Sequence, residues 1–258
     1  RGRRRVLLRA THLAAALAVW SLVPLAPIAS IVPLAAQLVP VGPERAVNTT
    51  TAGSQFAAGV AGEPGGPYLV AWQSTGQDGG GAGIYARLFD GAGSALTGEI
   101  HVSQTTAGDQ VTPAVAWSPA GTFLVAWASS GQDGSGFGIY ARRLQAATGQ
   151  FRGNEFQVHV TTAGSQLAPR VAASGANFYA VWSGLGAGGD TNDIYGRGFT
   201  AAGSGAGAIT GEVRLNASVS GNQVQPAVAA AGSGLVAAGA SDGAHGSGFG
   251  VVARRLDG

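Results

Sequence analysis

Aspartates in Gly-rich loops are the side chains of this sequence whose surroundings best suit chemistry. Asp78 lies in "GQDGGG" and Asp133 in "GQDGSG", while Asp190 and Asp242 lie near the corresponding positions further along the chain. Carboxylate and amide oxygens, together with the carbonyl oxygens of a Gly-rich turn, are ligands that Ca²⁺ prefers. The four aspartates are therefore candidate calcium ligands. One carboxylate per loop is few for Ca²⁺, and the alternative is that each Asp caps a tight turn through backbone N–H groups.

The remaining reactive side chains give little support for catalysis. Of the four His residues, His12 lies near the N-terminus, His101 and His159 fall on predicted outer strands, and His245 lies in a loop. No Ser/His/Asp arrangement and no close pair of carboxylates stands out. The Gly-rich loops join strand to strand, whereas a nucleotide-binding loop leads into a helix. Because Cys is absent, thiolate sites are excluded. We therefore expect no catalytic residues, and no cofactor other than calcium.

These residues belong to a repeat of about 55 residues. The turn "NTTTAGSQ" and the Gly-rich loop both return along the chain, and Glu44, Glu99, Glu155 and Glu212 open successive units. A period of this length with small insertions is typical of solenoids and propellers, in which each unit buries a face against the next. We predict one domain over residues 41–258, with repeats at about 44–98, 99–154, 155–211 and 212–258.

Each unit has the pattern of four β-strands. In the second unit, residues 112–118, 123–129, 138–144 and 155–160 are rich in aromatic and β-branched residues between Gly/Pro/Asn/Asp clusters. No segment keeps a 3.6-residue apolar period. Pro113, Pro169 and Pro226 recur in the first strand, where an edge position tolerates the missing N–H group. The sequence therefore predicts an all-β fold, a β-propeller of four four-stranded blades, either complete or part of a larger propeller.

Three further sets of side chains recur once per unit. The aromatic residues could stack on sugars, but packing between blades suits their alternating strand positions better. The Arg residues are expected to bridge blades or to pair with Glu99, Glu155 and Glu212. The Gln residues are expected to bond turn backbone, with a polar ring at the channel mouth as the alternative. The sets are Trp72, Trp127, Trp182, Tyr85, Tyr140 and Tyr195; Arg87, Arg142, Arg197 and Arg254; and Gln55, Gln110, Gln166 and Gln223.

The two ends of the repeat region are predicted to complete one blade. The region starts with a fourth-type strand at residues 44–48 and ends with a third-type strand around residues 251–255. Propellers commonly close their ring by building one sheet from both chain ends. We therefore predict that residues 44–48 pair antiparallel with residues 251–255 in a four-bladed ring, and the alternative is a segment of a larger propeller.

The composition suits a folded domain and excludes nucleic acid as a partner. The chain has 258 residues, of which 44 are Gly and 45% are hydrophobic, too apolar for intrinsic disorder. The formal net charge is +2, but five of the 15 basic residues lie within the first nine positions. From Glu44 onward, 10 Arg oppose 13 carboxylates, which leaves a net charge of −3. That part of the chain therefore has no cationic surface for nucleic acid.

Residues 1–40 are predicted to be a targeting segment. A basic stretch up to Arg9 precedes an uncharged apolar stretch, residues 13–39, which is the order found in secretory signals. A membrane-spanning helix is the alternative, although Pro24, Pro27 and Pro33 would interrupt it. We expect a signal peptide, or a membrane anchor if it is not cleaved. Either one gives residues 41–258 a secreted, periplasmic or cell-surface location.

The loop and turn motifs resemble a known bacterial extracellular repeat. "GQDGSGFGIYAR" (residues 131–142) and "NTTTAGSQ" (residues 48–55) are similar to a repeat of large secreted and surface proteins that reads roughly VVW…GQDGSG…IYAQRF…EF-VNTTT-G-Q-P. The resemblance extends over residues 44–258 and weakens in the last unit, where Gly239 replaces the equivalent of Trp127. It implies an exported β-propeller and no particular reaction. The blade organisation also resembles WD40 repeats, although the Gly-His and Trp-Asp signatures are absent.

Two kinds of function are compatible with these observations. We expect a noncatalytic binding or structural module of an exported or cell-surface bacterial protein, with a protein or carbohydrate ligand. The alternative is a glycan-active propeller, either a glycoside hydrolase or a lectin, or a calcium-binding adhesin module. We expect no nucleic-acid partner, membrane contact only through an uncleaved leader, and a monomer or a part of a longer chain.

Overall fold

The structure is a computed structural model that describes residues 41–186, 189, 191–244 and 246–257. The predicted leader, residues 1–40, lies outside the described residues, as do Asp190 and His245. Residues from Arg45 onward form one compact unit. Within the described ranges, no helix is long and apolar enough to cross a membrane. The strands are β1 (Gln55–Gly62), β2 (Tyr68–Thr75), β3 (Ala82–Phe89), β4 (Ile100–His101), β5 (Gln110–Ser118), β6 (Thr122–Ser130), β7 (Phe137–Gln145), β8 (Phe156–Gln157), β9 (Leu167–Ser174), β10 (Asn177–Leu185), β11 (Asn192–Thr200), β12 (Val213–Arg214), β13 (Gln223–Ala231), β14 (Gly234–Asp242) and β15 (Phe249–Leu256).

The strands form four antiparallel sheets, here called blades 1 to 4 in chain order. Blades 1 to 3 are four-stranded meanders, β1–β4, β5–β8 and β9–β12, and blade 4 is the three-stranded sheet β13–β15. The first strands lie side by side, β1 next to β5, β5 next to β9, and β9 next to β13. They are therefore the innermost strands, and the predicted all-β propeller is confirmed. The outermost strand is short, with two paired residues in each of blades 1 to 3.

Glycine closes the loop between the second and third strands of a blade. In blade 2, Gly131 and Gly134 have φ angles of +69° and +89°, a region that residues with a Cβ rarely adopt. The Gly131 N–H donates to the carbonyl oxygen of Gly136 over 2.7 Å. This bond brings Phe137 opposite Ser130, where the pairing of β6 with β7 begins.

Apolar side chains from adjacent blades pack face to face. Between blades 1 and 2, Ile84 and Leu88 belong to one buried cluster with Phe123, Trp127 and Leu144. An equivalent cluster joins blades 2 and 3. Since burying one large apolar side chain contributes about 1.5–3 kcal/mol, these interfaces are the main source of stability.

The predicted ring closure through residues 44–48 is wrong. Within the part of the chain that the structure describes, β15 pairs with β14 alone. The carbonyl oxygen of Val47 instead accepts a hydrogen bond of 2.9 Å from Arg87 Nη1 in blade 1. Arg142 of blade 2 makes the same bond to Val102, directly after β4. Residues 45–48 therefore lie against blade 1 as the end of β4 lies against blade 2.

Candidate functional site

Each innermost strand carries a β-bulge near its start. The bulge residues, here called the inner bulges, are Ala57, Thr112, Ala168 and Gln225, and their φ angles lie between +52° and +54°. The pairing with the second strand shifts register at the same places. A residue with a Cβ pays about 1 kcal/mol or more for this left-handed conformation. Because the strain recurs in all four blades, the fold imposes it.

Side chains of the neighbouring blade hold the innermost strands in this conformation. Gln73 of β2 is 4% exposed, and its Oε1 accepts the N–H of Thr112 at 3.0 Å. Ser183 of β10 donates from Oγ to the carbonyl oxygen of Gln223 at 3.1 Å, two residues before the bulge at Gln225. Hydrogen bonds between blades therefore hold the backbone in the strained conformation, which would otherwise relax.

The recurring Gln residues fix the turn that leads into each innermost strand. Gln110 Nε2 donates to the carbonyl oxygen of Ala107 at 3.0 Å, and Gln166 Nε2 donates to that of Ala163 at 3.1 Å. Both Gln side chains are buried. The predicted bond to turn backbone is confirmed, and these Gln residues do not form an exposed polar ring.

Side chains of mixed character are exposed next to the inner bulges. Phe56 and Leu167, which precede bulge residues, are 52% and 42% exposed. Thr112 and Gln225 are exposed at the bulges themselves. Arg170 is also exposed, and it is the one charged residue of the four innermost strands as described. This end of the propeller thus offers apolar contact surface, hydrogen-bonding groups and a single cation.

The Gly-rich loop of blade 2 is anchored by a buried Asp–His pair. Asp133 Oδ1 accepts the N–H of Ser135 at 3.0 Å, and Oδ2 lies 2.7 Å from His159 Nε2. The N–H of Ile139 lies 3.0 Å from His159 Nδ1. His159 Nδ1 also lies 3.1 Å from the carbonyl oxygen of Ile139, so the ring is held between the backbone of β7 and the Asp133 carboxylate. Both carboxylate oxygens of Asp133 are therefore engaged, as the turn-capping interpretation requires.

Blade 1 has a looser version of this pair. Asp78 Oδ1 accepts the N–H of Gly80 at 3.0 Å, and Oδ2 lies 3.5 Å from His101 Nε2. The His101 ring stacks on Tyr85 with 4.7 Å between centroids. Burial lowers the pKa of His101 and outweighs the opposing attraction of Asp78. The imidazole of His101 is therefore held neutral over a wider pH range than a free one.

In blade 3 the corresponding contact uses residues that the sequence analysis missed. Asp193 Oδ1 accepts a hydrogen bond of 2.6 Å from Asn216 Nδ2, while Asn216 Oδ1 accepts the N–H of Ile194 at 2.8 Å. Asn216 thus takes the place of His159, and Asp193 that of Asp133. The signal that could have identified the pair is Asn216, which follows the fourth strand just as His159 does.

The predicted calcium ligands that the structure describes do not share a loop, and Asp242 is the last residue of β14. Asp78, Asp133 and Asp242 lie in different blades, and Asp190 lies outside the described residues. Within the described ranges, no three His, Asp or Glu side chains lie close enough together to hold a metal ion. Calcium binding by these loops stays a prediction.

Glu99 binds residues 49–50, which lie in the segment that leads into β1. Its carboxylate accepts the N–H groups of Thr49 and Thr50, the hydroxyl of Thr50 at 2.8 Å and Gln77 Nε2 at 2.6 Å. Burial by itself would raise the pKa of Glu99, but these backbone and side-chain hydrogen bonds outweigh it and lower the pKa to about 2. Equivalent contacts join Glu155 to Gln104 and Thr105, and Glu212 to Val160 and Thr161.

The recurring Arg residues bridge blades through backbone carbonyls. Arg142 donates from Nη1 to Val102 at 3.0 Å and from Nε to Gly153 at 3.1 Å. Its guanidinium also lies 3.4 Å from the ring centroid of Phe151. The predicted bridging is confirmed. The expected pairing with Glu99, Glu155 and Glu212 is wrong, because those carboxylates bind the Thr-containing turns instead.

The recurring aromatic residues pack between blades. Trp127 and Trp182 are 0% and 1% exposed. Each lies directly opposite a Tyr of the third strand, Tyr140 and Tyr195 respectively. The packing role is therefore confirmed, and these indoles offer no face to a sugar.

Comparisons with known proteins identify the fold. No family model matches the chain, and no curated protein matches it. Among solved structures, the chain is similar to the phage phi92 endosialidase, with 10% identity and a TM-score of 0.51 over 77% of this chain and 35% of that one. It is also similar to an endo-arabinase from Bacteroides thetaiotaomicron (13% identity, TM-score 0.49, 78% and 74% coverage) and to an arabinanase from Bacillus subtilis (15%, 0.46, 79% and 73%). Identities this low support a shared propeller fold and nothing finer.

These comparisons contradict the expectation of a noncatalytic binding or structural module. The solved structures to which the chain is similar are glycan-active propellers, an endosialidase and two arabinanases.

Proposed function

We propose that this chain is a glycan-active β-propeller that binds a carbohydrate chain across the inner bulges. The observation that carries the proposal is the recurrence of strained backbone at Ala57, Thr112, Ala168 and Gln225, with exposed side chains beside it. Bulges re-aim side chains and are over-represented next to functional sites. The matched endosialidase and arabinanases support the same class of ligand.

The exposed side chains suit the two faces of a sugar ring. Phe56 and Leu167 offer apolar surface on which the C–H face of a ring can stack. Thr112 and Gln225 offer hydroxyl and amide groups that can bond sugar hydroxyls.

Arg170 points to an acidic glycan in preference to a neutral one. Its guanidinium donates to the carbonyl oxygen of Pro169 at 2.8 Å, which holds the side chain near the innermost strand. A guanidinium binds a carboxylate through two parallel hydrogen bonds, and this geometry distinguishes it from a neutral hydroxyl. We therefore propose a uronic- or sialic-acid-containing polymer as the substrate class.

The proposal includes the extracellular setting predicted from residues 1–40. Support for it comes from the basic and apolar order of that segment and from the resemblance to repeats of secreted proteins. Polymeric glycans are substrates of exported proteins, so the two proposals are consistent.

The test is binding of purified full-length chain to polygalacturonate, hyaluronan and polysialic acid, with arabinan and dextran as neutral polymers. We expect saturable binding to at least one acidic polymer by calorimetry. Release of reducing ends, measured in the same samples, distinguishes a hydrolase from a lectin, because only cleavage of the glycosidic bond produces them. Most glycoside hydrolases use two carboxylates that flank the bond.

Variants connect the binding to the inner bulges. Phe56→Ala and Gln225→Ala should each weaken binding about tenfold or more, and Arg170→Ala should abolish the preference for acidic polymers. Leu96→Ala is the matched control, since Leu96 is 50% exposed in a loop after β3. The proposal is wrong if no polymer binds, or if the bulge variants bind as well as the control.

A further inference from the structure

The interface between blades 3 and 4 lacks a pair of aromatic side chains that the other interfaces contain. Trp127 lies opposite Tyr140 in blade 2, and Trp182 lies opposite Tyr195 in blade 3. At the same register position of blade 4, Gly239 lies opposite Val252. The face of blade 4 that packs against blade 3 therefore lacks the indole and the phenol found at this position in blades 2 and 3.

A cleft of about 420 Å³ lies where these side chains are missing. Its walls include Ile194 and Leu215 from blade 3 and Gly239, Val252 and Ala237 from blade 4. At the interface of blades 1 and 2, the equivalent walls, Ile84 and Val102, share one buried cluster with Trp127. The cleft is thus bounded by the same kind of side chains that surround an indole elsewhere in this chain.

The cleft has the size and polarity of a small-molecule site. Its volume falls within the roughly 300–1,000 Å³ of ligand pockets, and its lining is mostly aliphatic. Asn216, Ser218, Ser241 and Arg254 add polar groups, of which Arg254 alone is charged. A Cβ at Gly239 would meet Ile194 Cδ1, which is the mobile end of a side chain, and would lie 3.2 Å from the carbonyl oxygen of Val224. Ile84 and Ile139 occupy this position beside Trp127 and Trp182, so Ile194 can make room for a ring.

We propose that this cleft binds a planar bicyclic aromatic compound of the indole class in the place that Trp127 and Trp182 fill at the other interfaces. The site is separate from the inner bulges and does not rest on glycan binding. Among the described residues, Trp127 Nε1 has no hydrogen-bond partner, so the indole at that interface is held by packing and not by its N–H group. The cleft should therefore accept 1-methylindole as well as indole.

The experiment measures the melting temperature of the full chain during titration with indole, 1-methylindole and cyclohexanol. Both indoles should raise the melting temperature saturably, by roughly 5 °C at a hundredfold excess over Kd, because they bind the folded state only. Cyclohexanol, which is apolar but not planar, should produce a much smaller rise.

Two variants fill the cleft from within. Gly239→Trp should raise the melting temperature without ligand and remove the response to indole. If Gly239→Trp does not fold, Ala237→Leu narrows the same cleft and should reduce the response. Gly98→Trp is the control, because a Cβ at Gly98 meets no atom within 4 Å, and it should respond like the wild type. The proposal is overturned if indole has no saturable effect, if cyclohexanol equals it, or if the filled variants respond unchanged.

Discussion

Arg142 in blade 2 donates from Nη1 to the carbonyl oxygen of Val102, at the end of blade 1, over 3.0 Å. The same bond joins Arg87 to Val47 and Arg254 to Leu215, at 2.9 and 3.1 Å. The bonds of Arg142 and Arg254 each tie the end of one blade to the next, and the bond of Arg87 ties residues 45–48 to blade 1. The recurring Arg therefore joins blades, and in the part of the chain that the structure describes it forms no ion pair within 4 Å of a carboxylate.

Replacing Arg142 by Lys should weaken the joint between blades 1 and 2. A guanidinium reaches Val102 and Gly153 at once, whereas an ammonium group holds one of them and leaves the other carbonyl unpaired. We expect Arg142→Lys to lower the free energy of unfolding by about 1–2 kcal/mol in urea titrations. Arg214→Lys is the control, because Arg214 has an exposed side chain, and it should change stability by less than about 0.5 kcal/mol. Equal losses in the two variants would contradict this role.

Glu99→Gln should destabilise the chain at neutral pH but not at low pH. The folded pKa of about 2 lies below the ordinary value of 4.5, so the ionised carboxylate adds stability above the unfolded pKa. That contribution is lost as the pH falls from about 4.5 to about 2. Urea unfolding at pH 7 should show a loss of about 2 kcal/mol in the variant, and the two curves should converge toward pH 2. Glu63→Gln, at an exposed loop carboxylate, is the control and should change the free energy of unfolding at pH 7 by less than about 0.5 kcal/mol.

Trp127→Ala should be among the most destabilising single substitutions. Trp127 is fully buried between blades 1 and 2, and removal of its indole leaves a cavity that the interface cannot fill. Large-to-small changes of this kind cost about 3–5 kcal/mol. Phe249→Ala removes an aromatic ring that is 59% exposed and should cost little. Calorimetric melting of both variants measures the difference, and similar melting temperatures would count against packing as the role of Trp127.

The two interpretations of the Gly-rich loops give opposite results with a chelator. If the loops hold calcium, EDTA lowers the melting temperature of the wild type, and Asp133→Ala removes that response. Because both oxygens of Asp133 are already bonded, we expect EDTA to have no effect and Asp133→Ala to lower the melting temperature with or without it. Asp133→Asn, which keeps the turn cap, should lose less. A chelator response in the wild type would restore the calcium interpretation.

The sequence determined the architecture of this protein because its determinants are local and repeated. Strand positions and Gly turns follow from residue types at a fixed period, and so does the interblade role of Arg142. The absence of a Trp at Gly239 was also visible in the sequence. The resulting cleft was not, since it depends on how far Ile194 and its neighbours collapse.

Contacts between distant segments were decided only by the tertiary structure. The inner bulges fall on residues as different as Ala57, Thr112 and Gln225, so no residue type signals their positive φ angles, which are imposed by partners such as Gln73. The Asp193–Asn216 contact joins side chains 23 positions apart, one near the start of β11 and the other two residues after β12. Residues 45–48 lie against blade 1 because the carbonyl oxygen of Val47 meets a guanidinium there. A backbone carbonyl carries no sequence signature, and its hydrogen-bond partner is fixed by folding alone.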